Sequence, residues 1–263
     1  MDLKMAKKIA LVSGSTAGIG NAIATALARE GASVIVNGRT PQAVDNAVAQ
    51  LRAATHGEVS GFAGDLSVAA VAENLVRAHP TVDILVNNLG IFEVKAFEAI
   101  TDADWQRYFD VNVLSGARLA RLYLPRMRER NWGRIIFISS ESGYQIPAEM
   151  IHYGMTKAAQ IAVARGLAET TAGTGITVNS ILPGPTRSRG VGDFVAEMAA
   201  AAGKTAAEFE KEFFQSARPT SLLKRFATPE EVAALVAYVA SPLSSATNGA
   251  ALRVDGGVIK SAY

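Results

Sequence analysis

The 263-residue sequence contains no cysteine, which excludes disulfides, thiolate catalysis and cysteine-ligated metal sites. Its three histidines, His56, His79 and His152, are not spaced as a metal-binding pair, so we expect no metal site. No run of about 18 apolar residues is present, and residues 1–8 lack the apolar stretch of a signal peptide. We therefore expect a cytoplasmic protein without a membrane span.

The net charge is also small, with a formal value of +2, and the basic residues are scattered along the chain. A nucleic-acid-binding surface needs clustered lysine and arginine, so we expect no nucleic-acid partner. With 49% hydrophobic and 19% charged residues, the chain can bury a substantial core. Strand-like and helix-like segments alternate without a linker. This pattern predicts one α/β domain over residues 1–263, with a doubly wound parallel sheet and helices on both faces.

A glycine-rich loop follows the first predicted strand, residues 8–13, and precedes a helix predicted at about residues 21–30. Backbone N–H groups and the helix dipole at such a junction form a cradle for a pyrophosphate. The order of strand, glycine loop and helix predicts a Rossmann-like dinucleotide-binding fold. The loop residues that we expect to contact the dinucleotide are Gly14, Ser15, Thr16, Gly18, Ile19 and Gly20.

The end of the second predicted strand, residues 33–37, bears on the choice of cofactor. An acidic residue there would bind the ribose 2′-hydroxyl of NAD, whereas an arginine can accept the 2′-phosphate of NADP. The chain has Asn37, Gly38 and Arg39 at this point and no acid. We expect NADP(H) to be favoured over NAD(H), with Arg39 as the phosphate ligand. The alternative is a turn at Asn37 and Gly38 followed by a solvated arginine.

A pair of serines and a Tyr-x-x-x-Lys pattern carry the predicted chemistry. Ser139 and Ser140 follow the buried strand predicted at residues 135–138, and Tyr153 and Lys157 project from one face of the next helix. A lysine ammonium near a phenol lowers the tyrosine pKa from about 10, so the phenol can exchange a proton with a reacting oxygen. A serine hydroxyl can bind the same oxygen. The alternative is chance spacing, with the serines serving as turn residues.

Together and in this order, these motifs resemble the short-chain dehydrogenase/reductase family, including its 3-oxoacyl-[acyl-carrier-protein] reductases, over nearly the whole chain. In that family a serine precedes the tyrosine by about 13 positions, which matches Ser140 rather than Ser139. The resemblance implies a catalytic set of Ser140, Tyr153, Lys157 and Asn112, with Asn112 holding a water that links Lys157 to solvent. The alternative for Asn112 is an amide satisfied locally within a helix predicted over residues 101–127.

The resemblance also implies further cofactor contacts. Asp65 and Leu66 would meet the adenine, although Asp65 or Ser67 could instead cap the helix that follows. The remaining implied contacts are Asn88, Gly90, Tyr153, Lys157, Pro183, Gly184, Thr186 and Ser188. For Asn88 a structural role that joins two strands ranks first, and for the two prolines of the 183–188 loop a plain rigid turn is the alternative.

Residues 187–219 are predicted to form a substrate lid with helices at 193–201 and 205–215; an inert hairpin or a subunit contact is the alternative. The resemblance implies a homotetramer, or a dimer, joined through helices near residues 104–127 and 153–170. The expected activity is hydride transfer between a nicotinamide cofactor and a small carbonyl or alcohol substrate. The alternatives are a 3-oxoacyl-thioester reductase and a cofactor-binding regulator without turnover. A sugar-nucleotide epimerase would need an added substrate domain for which the chain has no room.

Overall fold

A sheet of seven parallel strands forms the centre of the molecule. The structure, a computed structural model, describes residues 2–188 and 203–262. Its strands are β1 (Ile9–Val12), β2 (Ser33–Gly38), β3 (Val59–Ala63), β4 (Ile84–Asn87), β5 (Gly133–Ile138), β6 (Ile176–Pro183) and β7 (Ala251–Val254). Their order is β3-β2-β1-β4-β5-β6-β7, so the winding direction reverses between β1 and β4. This confirms the predicted doubly wound parallel sheet.

Helices cover both faces of the sheet, as predicted. They are α1 (Gly18–Arg29), α2 (Pro41–Thr55), α3 (Ala69–Ala78), α4 (Asp102–Phe109), α5 (Ser115–Glu129), α6 (Ile151–Glu169), α7 (Ala206–Ser216) and α8 (Pro229–Ala240). One apolar core lies under α1, α2 and α8, and a second lies under α3, α5 and α6. In the described part of the chain, no helix has both the length and the apolar character that crossing a membrane requires.

Each central strand contributes to both cores, which explains its unbroken apolar sequence. In β5, for example, Ile136 and Ile138 lie in the first core, whereas Ile135 and Phe137 lie in the second. Successive side chains point to opposite faces of a strand, and helices on both faces bury them all. Because the strands are parallel, their polar carboxyl ends all lie along one edge of the sheet.

The region predicted as a single helix over residues 101–127 is divided. Thr101 and Asp104 form a capping box at the start of α4, and α4 ends at Phe109. A π-helical turn, Asp110–Leu114, then leads into α5. Such wide turns interrupt the regular hydrogen-bond ladder and occur often at functional sites. Asn112 lies at the centre of this turn and is buried.

Helix α7 agrees with the predicted helix at residues 205–215. Thr205 occupies the N-cap position, and a reciprocal capping box with Glu208 fixes the start of the helix. The other helix predicted within the lid, residues 193–201, lies outside the described residues. Phe213 and Phe214 of α7 pack against Phe226 in a small separate apolar cluster.

Candidate active site

The glycine loop after β1 adopts a backbone that side chains would obstruct. Gly14 and Gly18 have φ values of 60° and 58°, in the left-handed region that favours glycine. A Cβ atom at Gly20 would lie 2.5 Å from Nδ2 of Asn88 and 2.6 Å from the carbonyl oxygen of Gly14. Helix α1 can therefore begin this close to β1 and β4 only because residue 20 has no side chain. The result is the open cradle at a helix N-terminus that a dinucleotide pyrophosphate requires.

Hydrogen bonds behind the loop join it to the end of β4. The hydroxyl of Ser13 accepts from the backbone N–H groups of Asn88 and Leu89, at 2.9 and 3.0 Å. Nδ2 of Asn88 donates to the carbonyl oxygens of Ser13 and Gly14, both at 3.0 Å. The described contacts of Asn88 thus agree with its predicted strand-joining role.

Asn37 organises the loop from the other side, and the turn considered for Asn37 and Gly38 is wrong, because both residues belong to β2. Oδ1 of Asn37 accepts from the backbone N–H of Gly14 at 3.1 Å. Its Nδ2 donates to the carbonyl oxygens of Phe62 and Gly64, each at 3.1 Å. The sequence signal that could have revealed this role is an amide at the end of a buried apolar run.

A cavity of about 150 Å³ opens beside this loop, at the carboxyl ends of β1 to β4. Its lining comprises Gly14, Thr16, Ala17, Asn37, Gly38, Arg39, Gly64, Asp65, Leu66 and Leu89. Doubly wound sheets bind nucleotides in the crevice at the point where strand order reverses, which is this position. Arg39 lies exposed at the cavity, where a phosphate on the adenosine ribose could meet it.

Asp65 lines this cavity but does not cap α3 as proposed. Its Oδ1 accepts from the backbone N–H of Ser67 at 2.9 Å and from the Ser67 hydroxyl at 2.7 Å. Val68 occupies the N-cap position of α3 and makes no side-chain capping bond. Asp65 therefore stabilises the turn before the helix, beside Leu66 in the cavity lining.

The predicted serine, tyrosine and lysine meet at the carboxyl end of β5. Ser140 accepts from the backbone N–H of Ser142 at 3.1 Å, and its hydroxyl lies near enough to Tyr153 to lower the pKa of the phenol. Nζ of Lys157 lies 5.5 Å from the centroid of the Tyr153 ring. The Ser139 hydroxyl instead donates to the backbone oxygen of Lys157 at 2.8 Å. Ser140 is therefore the hydroxyl that faces the phenol.

The pKa values of Tyr153 and Lys157 differ from the prediction. Burial raises the pKa of Tyr153 to about 12, and the Ser140 hydrogen bond only partly opposes this effect. Burial also lowers the pKa of Lys157 to about 7. Nζ of Lys157 donates to the Ile138 carbonyl at 2.9 Å and to Oε1 of Gln160 at 3.1 Å. The predicted lowering of the tyrosine pKa is therefore wrong here, since the amine is directed at other acceptors.

Asn112 connects to Lys157 through protein groups. Its Oδ1 accepts from the backbone N–H of Ile91 at 2.8 Å, and its Nδ2 donates to the Ile91 carbonyl and the Thr156 hydroxyl, each at 3.0 Å. Its backbone oxygen accepts from Nε2 of Gln160 at 2.6 Å. The side-chain amide is thus satisfied locally. Gln160, which the sequence reasoning missed, bridges the backbone oxygen of Asn112 and Nζ of Lys157.

Gly90 lies near Lys157, and the loop after β6 lies at the same edge of the sheet. A Cβ at Gly90 would come within 3.5 Å of Nζ of Lys157, so this glycine lies directly against the amine. Pro183 ends β6, and a Cβ at Gly184 would lie 2.5 Å from the Asp255 carbonyl oxygen. The Thr186 hydroxyl donates to the Gly184 carbonyl at 2.9 Å, so it is bonded within its own loop.

The backbone N–H of Ser188 donates to the Thr186 carbonyl at 2.7 Å, and Ser188 is the last described residue before residue 203. The tight turn of this loop agrees with the alternative of a rigid proline turn. It also keeps residues 183–188 at the carboxyl end of β6, next to β5 and Ser140.

A buried ion pair, which the sequence did not reveal, borders the tyrosine. Oε1 of Glu141 accepts from Nε of Arg218 at 3.0 Å, and both side chains are buried. Burial raises the pKa of Glu141, and the Arg218 charge opposes this shift. The pair joins the loop after β5 to the segment after α7. It therefore couples that segment to the surroundings of Tyr153.

The cradle at the switch point of the sheet, with the tyrosine and lysine at the same edge, defines a nicotinamide-dependent oxidoreductase. A family model described as enoyl-(acyl carrier protein) reductase matches residues 14–259. The chain belongs to the short-chain dehydrogenase/reductase family, as its motifs indicated. It is an NAD(P)-dependent oxidoreductase that acts on a carbonyl or secondary alcohol group.

Relatives resemble the chain over its length. It is 48% identical to the "Uncharacterized oxidoreductase YvrD" of Bacillus subtilis, over 99% of this chain and all of that protein. It is 31% identical to the 3-oxoacyl-[acyl-carrier-protein] reductase FabG of Aquifex aeolicus, over 98% of this chain and all of that protein. The crystal structure of L-sorbose reductase from Gluconobacter frateurii, complexed with NADPH and L-sorbose, superposes with a TM-score of 0.93 at 30% identity. That superposition covers 99% of this chain and 100% of the reductase.

Proposed function

We propose that the protein is an NADP-linked ketone reductase, reversible as an alcohol dehydrogenase, in which Tyr153 is the proton donor. The observation that carries this proposal is the placement of Ser140, Tyr153 and Lys157 together at the sheet edge that also holds the glycine cradle. A bound nicotinamide supplies the hydride for reduction or accepts it in oxidation.

Each residue of the set has a distinct task in this proposal. With a pKa of about 12, the Tyr153 phenol is protonated at neutral pH and can give its proton to the carbonyl oxygen as that oxygen becomes negative. The Ser140 hydroxyl orients the same oxygen. Lys157 lies one helical turn below the phenol and binds the cofactor ribose. Asn112 holds the neighbourhood of Lys157 in place from the π-helical turn.

The substitution Tyr153→Phe tests the role of the phenol. It should reduce kcat by about 10²–10⁴-fold, because general-acid catalysis contributes that much, while NADPH binding measured by fluorescence is retained. L-Sorbose and acetoacetyl-CoA serve as the two carbonyl probes, each with NADPH. Ser139→Ala is the matched control for loss of a hydroxyl nearby, since the Ser139 hydroxyl is bonded to the backbone of Lys157. Turnover that survives in Tyr153→Phe would remove the tyrosine from the mechanism.

The preference for NADP rests on Arg39. This side chain lies exposed at the adenosine cavity, and Asn37 replaces the acid that would repel a 2′-phosphate. Arg39→Ala should raise the KM for NADPH about 10- to 100-fold, the range expected for one charge-assisted hydrogen bond, and leave the KM for NADH unchanged. The exposed Arg29 provides the control, and Arg29→Ala should leave both constants unchanged. Equal effects of Arg39→Ala on the two cofactors would reject the phosphate role.

A 3-oxoacyl-thioester reductase is the second candidate, supported by the similarity to FabG and by apolar side chains near the tyrosine. The Phe92 ring contacts the Tyr153 ring edge-on at 6.3 Å, and Phe92, Tyr144 and Ile146 are exposed. Comparison of kcat/KM for acetoacetyl-CoA and L-sorbose distinguishes the candidates. A higher value for the thioester would favour this second reading.

The proposal includes a cytoplasmic homotetramer joined through the α4–α5 region and α6. Small side chains support close helix contact, because Ala162 and Gly166 are exposed on α6. Light scattering after size exclusion would measure the mass of the assembly. A monomer at micromolar concentration would reject the tetramer.

A further inference from the structure

We propose that Gln160 is a positioning residue of this active site, which ties the Lys157 amine to the backbone carbonyl of Asn112 through the two ends of its side-chain amide. The resemblance to the family implied that Asn112 holds a water that links Lys157 to solvent. In the structure the side chain of Gln160 bridges Lys157 and the backbone oxygen of Asn112. This inference rests on the proposed role of Lys157.

The contacts of Gln160 use both ends of its amide. Oε1 accepts from Nζ of Lys157 at 3.1 Å, and Nε2 donates to the backbone oxygen of Asn112 at 2.6 Å. A backbone carbonyl can only accept, so Nε2 must face Asn112 and Oε1 faces the amine. Gln160, Lys157 and Asn112 are all buried, with exposures of 1%, 4% and 0%.

The chemistry of the Gln160 amide determines what the bridge between Lys157 and Asn112 can do. A water can accept a proton on one side and release another on the other side, whereas an amide N–H does not readily give up its proton. The bridge through Gln160 therefore positions Lys157 and does not carry a proton from it. The open side of the amine lies towards Gly90 and Tyr153, where a Cβ at Gly90 would be 3.5 Å from Nζ.

The bond from Nζ to Gln160 also favours the charged amine against burial. Burial is what lowers the pKa of Lys157, and an acceptor on the ammonium acts in the opposite direction. Tyr153 is the titratable group that faces the amine, at 5.5 Å from its ring centroid, and the Glu141–Arg218 pair acts in turn on Tyr153. Gln160 therefore adjusts the charge of Lys157 and its position together.

Three substitutions of Gln160 separate this role from simple packing. Gln160→Met keeps the length of the side chain and removes both hydrogen bonds. Gln160→Glu keeps the acceptor and adds a negative charge. Gln160→Ala removes the side chain and leaves a space bordered by Nζ of Lys157 and the Asn112 carbonyl, polar groups that a water can bridge.

The first measurement is the titration of Lys157 by NMR in protein labelled with ¹³C at lysine Cε, which needs no turnover. Relative to the wild type, Gln160→Met should lower the Lys157 midpoint by about one pH unit, and Gln160→Glu should raise it by about one unit or more. Gln160→Ala should give a midpoint between those of Gln160→Met and the wild type. If the Lys157 midpoint is the same in the wild type and in all three variants, the inference is overturned.

The second measurement is kcat/KM against pH, with NADPH and whichever of L-sorbose and acetoacetyl-CoA is turned over. The alkaline limb should move in the same direction as the Lys157 midpoint, and Gln160→Ala should be more active than Gln160→Met. A packing role predicts the reverse order, since alanine leaves a cavity and methionine fills it, with the same loss at every pH. That result would overturn the inference.

The two proposals can fail separately. Unchanged Lys157 midpoints together with an inactive Tyr153→Phe variant would reject the role of Gln160 alone. Displaced midpoints together with full turnover by Tyr153→Phe would reject the proposed function and leave the contact between Gln160 and Lys157 in place.

Discussion

Because of Lys157, the free energy of unfolding should rise as the pH is raised. Burial lowers the pKa of Lys157 to about 7, whereas a lysine in the unfolded chain has its ordinary value of 10.5. Between these values the unfolded chain binds more protons than the folded protein, so the free energy of unfolding rises with pH. The stabilisation is complete above the unfolded pKa and is lost progressively as the pH falls from 10.5 to about 7.

The interval between the two pKa values corresponds to roughly 5 kcal/mol, at about 1.4 kcal/mol per unit. Within it, between pH 7.5 and pH 9.5, the contribution of Lys157 should grow by about 2–3 kcal/mol. Lys157→Met removes the titrating group and retains a long apolar side chain. The stability difference between the wild type and this variant should therefore shift in favour of the wild type by that amount over those two pH units.

Urea unfolding at several pH values, followed by the fluorescence of Trp105 and Trp132, measures this difference. The protomer concentration must be held constant, because assembly adds to apparent stability. Lys211→Met, at an exposed position, is the matched control, and its unfolding curves should run parallel to those of the wild type. A stability difference between wild type and Lys157→Met that does not change with pH would show that Lys157 remains charged in the folded protein and would refute the reasoning.

Two further predictions concern the ion pair and the glycine loop. Arg218→Met should lower the free energy of unfolding by about 3 kcal/mol, because Glu141 would be left buried without its partner; a change below about 1 kcal/mol in urea unfolding would contradict this. Gly20→Ala should weaken NADPH binding at least about tenfold, because its Cβ would lie 2.5 Å from Nδ2 of Asn88 and would displace the loop. An unchanged dissociation constant by fluorescence titration would show that the loop can accommodate the methyl group.

The parts of the molecule that the sequence predicted are those with local signals. The alternation of strand-like and helix-like segments indicated the sheet and its covering helices, and the glycine-rich loop between strand and helix indicated the cradle. Tyr153 and Lys157 were visible because four residues along a helix make one turn. These features depend on neighbours in the chain, so a single sequence contains them.

The features that the sequence did not reveal depend on residues far apart in the chain. Gln160 meets Asn112 across 48 positions, and Arg218 meets Glu141 across 77. The expected lowering of the Tyr153 pKa failed for the same reason, since burial is a property of the packed protein. A Gln in an Ala-rich helix gives no local sign that both ends of its amide are engaged.

The widened turn at Asp110–Leu114 limits how this chain can change length. Each residue of an α-helix rotates the next by about 100°, so removing one residue here would turn α5 by that angle relative to α4. Either Asn112 would then lose its hydrogen bond to Thr156 on α6, or Leu119 and Tyr123 would leave the core under α5. Insertions and deletions among related sequences should therefore fall in surface loops and spare the interval from Tyr108 to Leu119.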